Sequence, residues 1–272
     1  MLPALIVGGL AAALAFLFAR GQLNDLKVPV AATLIVEGAP ATVMAIWAHP
    51  DDEITCAGTL AAMARDGAQI TLVYLTRGEA ARDTGFSRED LGSVRVAEAQ
   101  AAGALLGASH VEVLEFPDGG LSTADGEAAK AVISDQIARW APSLLISFDE
   151  RVGYYGHPDH VAVGRWVRQV AHENACVRRL YQVTLPTTLI ALALRMVDAF
   201  RDNYPKANDR GLPVPTVAVA ISGLASTKRR LLDVHASQAK VMADVQPYFD
   251  RLPAWLYYRL FDREYFALAF SR

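Results

Sequence analysis

The strongest constraint on the fold of this chain is an alternation of short apolar runs with helix-length segments between residues 43 and 172. Apolar runs at 43–48, 69–75, 111–115 and 144–148 predict strands, and segments at 54–65, 87–106, 127–140 and 159–172 predict helices. Strands that alternate with helices in this way form βαβ units, so the sequence predicts an α/β fold with a mostly parallel sheet and helices on both faces. Hydrophobic residues make up 53% of the chain and charged residues 20%, which suffices for a sizeable core and excludes disorder as the main state.

Composition also excludes several classes of function. A net charge of −3 argues against a basic nucleic-acid-binding surface. Two cysteines, Cys56 and Cys176, exclude a disulfide scaffold and a cysteine-rich zinc module. No glycine fingerprint for a dinucleotide follows the first strand, and the phosphate-binding P-loop pattern does not occur. Any metal ion must therefore be held by His, Asp or Glu.

The N-terminal segment, residues 2–19, contains no charged side chain. As a helix it would span about 27 Å, close to the hydrocarbon thickness of a bilayer. We therefore expect a transmembrane anchor over residues 1–20, with a cleaved signal peptide or a buried helix as the alternatives. Arg20 and Lys27 follow the apolar run and favour a membrane-anchored protein with its downstream domain in the cytoplasm; with a cleaved signal peptide the protein would be exported.

The remaining boundaries follow from composition. Residues 21–41 are predicted as a linker, and residues 42–246 as one domain with further helices at 185–199 and 227–245. Residues 247–272 are rich in aromatic side chains and are predicted as a helical C-terminal extension. This extension could pack into the core or form an interfacial surface.

Two related motifs follow the first and fourth predicted strands. The first is His49-Pro50-Asp51-Asp52-Glu53 and the second is Tyr155-Gly156-His157-Pro158-Asp159-His160, so the tripeptide His-Pro-Asp occurs twice. The carboxyl ends of parallel strands lie at one edge of a sheet, where ligands bind in such folds. His nitrogens and carboxylate oxygens suit a catalytic zinc site with three protein ligands and one water, and leave a carboxylate over to act as general base. The motifs alone do not decide which three side chains are the ligands.

With these motifs the sequence resembles the LmbE-like, or PIG-L, family of zinc-dependent N-acetylglucosaminyl deacetylases. The resemblance extends over about residues 42 to 240 and includes Arg95-x-x-Glu98 and Leu105-Leu106-Gly107 between the motifs. It implies a Rossmann-like fold and assigns roles by position. His49, Asp52 and His160 would bind zinc, and Asp51 would be the general base. His157 would be the cationic partner of the transition state, oriented by Asp159, and Tyr155 would polarise the substrate carbonyl. Arg95 and Asp118 would contact hydroxyl groups of the substrate.

The expected function is therefore removal of acetate from an N-acetylglucosamine-type substrate, with lipid- and inositol-linked sugars among the candidates. The alternatives are a metal-dependent hydrolase of another amide or ester, including a phosphoesterase, and a non-catalytic, membrane-anchored sugar-binding protein. One zinc ion per chain is expected, with Fe²⁺ as the other candidate. The expected partners are the small-molecule substrate and a membrane bound through residues 2–19, with no nucleic acid; the oligomeric state is open. Glu53 could contact the metal-binding side chains, or its charge could stabilise the N-terminus of the following helix. His235 could line a pocket or form hydrogen bonds within its own helix.

Overall fold

The computed structural model describes residues 2–35, 37–82, 84–206 and 211–272, and in the first helix it describes side chains from Leu10 onwards except Ala12. This part of the chain contains one mixed sheet. Its strands are β1 (Val30–Ala31), β2 (Thr42–Trp47), β3 (Gln69–Thr76), β4 (His110–Phe116), β5 (Leu144–Ser147), β6 (Arg179–Thr184), β7 (Val217–Ala220) and β8 (Arg263–Ser271).

The strand order is β1-β7-β8-β6-β5-β2-β3-β4. Strand β2 lies parallel to both β3 and β5, and β6 and β4 extend the parallel pairing outwards on the two sides. Because the chain moves in one direction from β2 to β3 and β4 and then returns to the other side at β5, the order reverses at β2. The carboxyl end of β2 is therefore the topological switch point, where α/β sheets bind ligands.

The helices lie on both sides of the sheet and cover two apolar cores. One core is built around Trp47, Leu60 and Tyr74, and the other around Ile46, Ile133 and Val163. In the described residues the helices are α1 (Leu2–Leu23), α2 (Ala57–Arg65), α3 (Arg88–Leu106), α4 (Gly126–Trp140), α5 (Gly153–Gly156), α6 (Pro158–Glu173), α7 (Thr187–Met196), α8 (Asp198–Asn203), α9 (Ala225–Val234), α10 (Ala239–Val245) and α11 (Ala254–Leu260).

The sheet with helices on both sides agrees with the predicted α/β class, and β2 to β5 follow the predicted apolar runs within about a residue at most ends. Local signals explain this agreement. The side chain of Ser87 accepts a hydrogen bond from the backbone N–H of Asp90 at the start of α3, and Gly107, with φ of 77°, ends that helix. Asp125 caps α4 in the same way as Ser87 caps α3. Strands β6, β7 and β8 were not predicted.

The predicted transmembrane anchor is wrong. Among the described residues, no helix combines the length and the apolar content that a membrane span requires. Helix α1 also continues beyond residue 19 to Leu23. Side chains near its C-terminal end form hydrogen bonds with the C-terminal part of the chain. The side chain of Arg20 donates to Asp262 at 2.6 Å, and that of Asn24 donates to the carbonyl of Leu260 at 2.6 Å. The membrane partner and the localisation that were inferred from the anchor are withdrawn with it.

The C-terminal segment is only partly helical and is part of the sheet, which also corrects the predicted fold class. After α11 it forms β8, which pairs antiparallel with β6 on one side and with β7 on the other. Tyr258 and Phe266 are almost fully buried, so aromatic residues of this segment pack into the core. Strand β1, in the segment 21–41 that was predicted as a linker, pairs with β7 at the edge of the same sheet. Local sequence patterns do not show which distant segments will pair as strands, so this pairing was not predicted.

A buried ion pair ties β8 to the start of α2. Glu264 on β8 accepts hydrogen bonds from the backbone N–H groups of Gly58 and Thr59 and pairs with the ammonium group of Lys228 on α9. The side chains of Lys228 and Glu264 are only 6% and 5% exposed. Removing one member of such a pair leaves the other charge buried without compensation.

We expect Lys228→Met to lower the free energy of unfolding by about 3–5 kcal/mol, measured by urea denaturation. The matched control is Arg201→Met, because the ion pair of Arg201 with Asp198 is more than half exposed on both sides. That change should cost less than about 1 kcal/mol. An equal decrease in the free energy of unfolding for the two variants would show that the buried pair contributes no more to stability than the exposed one.

Candidate active site

The first motif leaves the sheet at the switch point. Directly after β2, the backbone of Asp51 adopts a left-handed conformation with φ of 111°, and a short 3₁₀ turn follows at Asp52–Thr55. One carboxylate oxygen of Asp52, Oδ2, accepts hydrogen bonds from the backbone N–H groups of Ala48 and His49 at 3.1 and 2.8 Å. These bonds hold the turn closed and keep the other oxygen, Oδ1, free to face the second motif.

The second motif is shaped by the loop after β5. The buried carboxylate of Asp149 accepts hydrogen bonds from the backbone N–H groups of Val152 and Gly153 at 2.8 and 3.0 Å. At the N-terminus of α6, His157 Nδ1 accepts the backbone N–H of Asp159 at 3.2 Å. His160 lies in the first turn of this helix, and its ring stacks on that of Phe148 with the ring centres 4.0 Å apart. These contacts fix the positions of His157 and His160 at the start of α6.

Gly153 is required at its position for two reasons. Its φ is +61°, and a Cβ atom there would lie 2.7 Å from the Cβ of His160 and 2.6 Å from the backbone nitrogen of Val161. Its carbonyl oxygen also lies 3.1 Å from His160 Nδ1. A side chain at this position would clash with the start of α6, so the backbone there and the His160 side chain must shift.

We expect Gly153→Ala to lower metal affinity and activity together and to cost more stability than the backbone strain alone. The control is Gly67→Ala, because Gly67 has φ of +93° but no atom within 4 Å of the added Cβ. The control should cost about 1–2 kcal/mol of stability and leave metal binding unchanged. Thermal unfolding and a metal titration measure both effects; a Gly153 variant that bound metal normally would contradict the expectation.

Three side chains of the two motifs converge at the switch point. His160 Nε2 lies 3.1 Å from Asp52 Oδ1 and 3.3 Å from His49 Nδ1, and His49 Nδ1 lies 3.7 Å from Asp52 Oδ2. If His160 Nδ1–H donates to the carbonyl of Gly153, a neutral His160 carries its lone pair on Nε2. That nitrogen faces Asp52 Oδ1 and His49 Nδ1. Lone pairs and a carboxylate gather in this way around a proton or a cation. His49 and His160 also form a possible metal-binding group with His157.

The outer nitrogen of His49 faces two further carboxylates. His49 Nε2 lies 3.0 Å from Asp118 and 3.5 Å from Asp159, and the three form a second possible metal-binding group. Burial lowers the pKa of His49, but the contacts with Asp118, Asp159 and Asp52 raise it well above its usual value overall. A carboxylate behind a ligating histidine orients its ring and increases its basicity. Asp118, predicted to contact the substrate, thus contacts His49 and also lines the cavity described below.

Asp51 lies beside this cluster with a different partner. One of its carboxylate oxygens is 3.0 Å from Nη2 of Arg95, whose side chain is only 4% exposed. Arg95 also donates to the carbonyl oxygens of Gly78 and Pro50. Burial raises the pKa of Asp51 to about 6, although the positive charge of Arg95 opposes this shift. Arg95, predicted to bind substrate, is therefore engaged in holding Asp51 and the turn that carries it.

The other residues of the second motif lie around the same space. Burial and the neighbouring His160 lower the pKa of His157 to about 4, so His157 is neutral in this arrangement. Because its Nδ1 accepts the backbone N–H of Asp159, its Nε2 carries the proton. The carboxylate of Asp159 accepts instead from the backbone N–H groups of Gly119 and Ser122. The ring centre of Tyr155 lies 5.1 Å from that of His160.

Glu53 and His235, whose roles the sequence analysis left open, form a buried pair behind Asp51. His235 is fully buried, and its Nε2 lies 2.5 Å from Glu53 Oε1, while Glu53 Oε2 accepts the backbone N–H of Asp51 at 3.0 Å. The helix predicted over 227–245 breaks at His235, and Ser237 in the break donates twice to Glu98 on α3. Thus His235 contacts the turn of Asp51 from behind instead of lining the cavity. The sequence analysis singled out Glu53, Glu98 and His235, but no local pattern shows which of them contact each other.

The cluster opens into a cavity of about 760 Å³. His49, Asp51, Asp52, His157 and His160 line one end of it, together with Tyr155. Side chains of α7, α8, α10 and α11 line much of the remainder, together with charged groups such as Arg82, Lys228, Arg263 and Glu264. A concave, largely apolar cavity with a few convergent polar groups is typical of a small-molecule site.

The geometry defines the class first: an α/β protein with a possible His/Asp metal site at the switch point of its sheet. Residues 44–171 match the family described as PIG-L, GlcNAc-PI de-N-acetylase. The chain is 33% identical over 245 residues to the 1D-myo-inositol 2-acetamido-2-deoxy-alpha-D-glucopyranoside deacetylase of Nakamurella multipartita, an alignment that covers 77% of this chain and 83% of that protein. The chain belongs to the PIG-L, or LmbE-like, family of deacetylases, which are hydrolases of an amide bond, as its motifs predicted.

Solved structures show the same fold. The N,N'-diacetylchitobiose deacetylase of Pyrococcus horikoshii matches with a TM-score of 0.61 and 20% identity, over 95% of this chain and 92% of that chain. The 4-carboxy-2-hydroxymuconate hydratase of Pseudomonas putida matches with a TM-score of 0.60 and 16% identity, over 85% and 97% of the two chains. One of these proteins is named a deacetylase and the other a hydratase, so the reaction must be argued from the site and not from the fold.

Proposed function

We propose that this protein is a zinc-dependent hydrolytic N-deacetylase that removes acetate from an N-acetylglucosamine-type conjugate. The observation that carries the proposal is the convergence of His49, Asp52 and His160 beside Asp51 at the end of a cavity. The relative from Nakamurella multipartita is named for an inositol-linked substrate of this type.

His49, Asp52 and His160 would hold the metal ion. His160 Nε2 lies 3.1 Å from Asp52 Oδ1 and 3.3 Å from His49 Nδ1, separations that an ion with bonds of about 2 Å can bridge. Two nitrogens with one carboxylate oxygen form a donor set that zinc accepts. Two histidines and one carboxylate also form a common donor set for Fe²⁺, which is the other candidate. When bound, such an ion lowers the pKa of a water molecule and polarises a carbonyl group.

Asp51 would act as the general base. A base works best when its pKa is near the working pH, and burial raises the pKa of Asp51 towards neutrality. Arg95 fixes one carboxylate oxygen, so the other can take a proton from the attacking water. The water oxygen forms a bond to the carbonyl carbon of the acetamide group. The π electrons of the C=O bond move onto the carbonyl oxygen, which becomes negatively charged.

His157 and Tyr155 would stabilise that oxygen. The Nε2–H of His157 and the hydroxyl of Tyr155 are donors in the same cavity, and donors placed in advance stabilise the charge that develops in the transition state. The C–N bond then breaks, the proton held by Asp51 passes to the nitrogen, and acetic acid and a free amine leave. The acid then gives its remaining proton to water and becomes acetate. In this step His157 would act as a neutral hydrogen-bond donor, because burial and the neighbouring His160 lower its pKa to about 4.

The proposal is tested by acetate release from the full chain with added zinc. The substrates are N-acetylglucosamine, its inositol conjugate, N-acetylglucosaminyl phosphatidylinositol and N,N'-diacetylchitobiose, each with the His157→Ala variant as a control. We expect release from at least one substrate and a much slower rate in the variant. Absence of release from all four, with zinc bound, would overturn the substrate assignment.

A further inference from the structure

Asp51, the base of the proposed mechanism, has a backbone conformation that residues with a side chain rarely adopt. Its φ is 111° and its ψ is −18°, outside the regions that residues other than glycine prefer. A residue keeps such a conformation only where the surrounding structure imposes it. Groups packed around Asp51 must therefore hold its backbone in place.

A buried pair, Glu53 and His235, holds the backbone of Asp51 from behind. Glu53 Oε2 accepts the backbone N–H of Asp51 at 3.0 Å, and Glu53 Oε1 lies 2.5 Å from His235 Nε2. Both side chains belong to residues that are 0% exposed, so neither can exchange its partner for water. His235 thereby fixes the carboxylate that accepts the N–H of Asp51.

The position of His235 is fixed in turn by contacts with α3. Two residues further along the chain, Ser237 donates its backbone N–H to Glu98 at 2.8 Å and its hydroxyl to the same carboxylate at 2.6 Å. Glu98 lies on α3 three residues after Arg95, and residues at this spacing share one face of a helix. One face of α3 therefore supports both His235, through Ser237, and the side chain of Asp51, through Arg95.

These contacts enclose Asp51 without reaching the substrate space. Arg95 holds the carboxylate of Asp51 at 3.0 Å, and Glu53 holds its backbone. Among the described residues, those that line the cavity include Asp51 and Arg95 but not Glu53, Glu98 or His235. Glu53 and His235 can therefore affect a bound substrate only through Asp51 and the turn that carries it.

Building on the proposed deacetylase function, we infer that Glu53 and His235 are positioning residues that hold Asp51 where it can accept the proton of the attacking water. Displacement of a reacting group by about 1 Å can reduce a rate on the order of 10²-fold. The metal-binding carboxylate of Asp52 has its own support from two backbone N–H groups of the first motif. Loss of the pair should therefore reduce kcat and leave zinc content and KM nearly unchanged.

The test separates this role from a contribution to stability. His235→Phe alone leaves the charge of Glu53 buried without a partner and lowers stability as well. The double variant Glu53→Met/His235→Phe replaces both polar groups with apolar groups of similar size, a kind of change that proteins tolerate. It still removes the acceptor for the N–H of Asp51. We expect the double variant to fold, with kcat at least about tenfold lower and KM and zinc content within about twofold of normal.

His235→Gln is the conservative variant, because its amide nitrogen can donate to Glu53 from nearly the position of His235 Nε2. It should keep most of kcat. Ser143→Ala is the matched control for loss of a buried hydrogen bond. Ser143 is 3% exposed, and its hydroxyl donates to the carbonyl of Pro40 at the opposite end of the sheet from Asp51. This control should lower stability and leave kcat unchanged.

Hydrogen exchange of the Asp51 amide, resolved by NMR, tests the same contact without turnover. The exchange rate is compared with that of the amide of Ile46 on β2, which corrects for changes in overall stability. We expect the ratio of the two rates to rise at least about tenfold in the double variant, because the acceptor is missing. The ratio should stay unchanged in Ser143→Ala.

The two measurements distinguish failure of the positioning role from failure of the proposed function. Normal kcat in the double variant, or an unchanged exchange ratio, would overturn the positioning role and leave the deacetylase intact. If the unaltered protein released no acetate from any substrate while the exchange ratio rose as expected, the proposed function would fail, and the result would still support the hold of Glu53 and His235 on Asp51.

Discussion

Asp51→Asn should reduce kcat by about 10²–10⁴-fold while the protein still binds one zinc ion per chain. Asparagine has nearly the same shape as aspartate and keeps an oxygen that can accept from Arg95. Its amide cannot take up the proton of the attacking water. The measurement combines initial rates of acetate release with zinc content by mass spectrometry. Because Asp51 is not one of the three proposed ligands, the loss should fall on turnover and not on the metal.

Asp125→Asn is the matched control for this substitution. Asp125 is exposed and caps α4, and asparagine is an equally good capping residue. We therefore expect unchanged activity and stability in the control. Turnover near the normal rate in Asp51→Asn would show that another group accepts the proton, and loss of zinc would show that Asp51 belongs to the metal site.

His160→Ala should abolish both zinc binding and activity. The substitution removes one of the three converging donors and also the ring that stacks on Phe148. Zinc should raise the melting temperature of the unaltered protein, since a ligand that binds only the folded state stabilises it, but should not raise that of the variant. A chelator should abolish activity of the unaltered protein, and activity regained with Zn²⁺ or Fe²⁺ would identify the metal.

His172→Ala provides the comparison within the same helix. His172 lies exposed in the last turn of α6 and contacts Phe270, far along the helix from His160. Zinc binding and activity should both survive there. A His160 variant that still gained thermal stability from zinc would remove His160 from the ligand set and favour the second group, His49 with Asp118 and Asp159.

The sequence by itself determined the parts of this protein that depend on local patterns. Strands β2 to β5 are apolar runs between helices with capping residues such as Ser87 and Gly107, and short-range periodicity suffices to recognise them. The two His-Pro-Asp motifs follow β2 and β5, which are neighbours in the sheet, so parallel pairing alone predicts that they meet. The family membership rests on the same residues.

Tertiary structure alone decided what depends on distant partners. The apolar N-terminal run reads locally as an anchor, yet the helix it forms ends against the domain through Arg20 and Asp262, which are 242 positions apart. The final strand lies inside the sheet between β7 and β6, and the side chain of Arg95 contacts Asp51. The bond between Glu53 and His235 joins residues 182 positions apart. Burial sets the strength and often the sign of such interactions, and burial is a property of the packed chain that no local window of sequence contains.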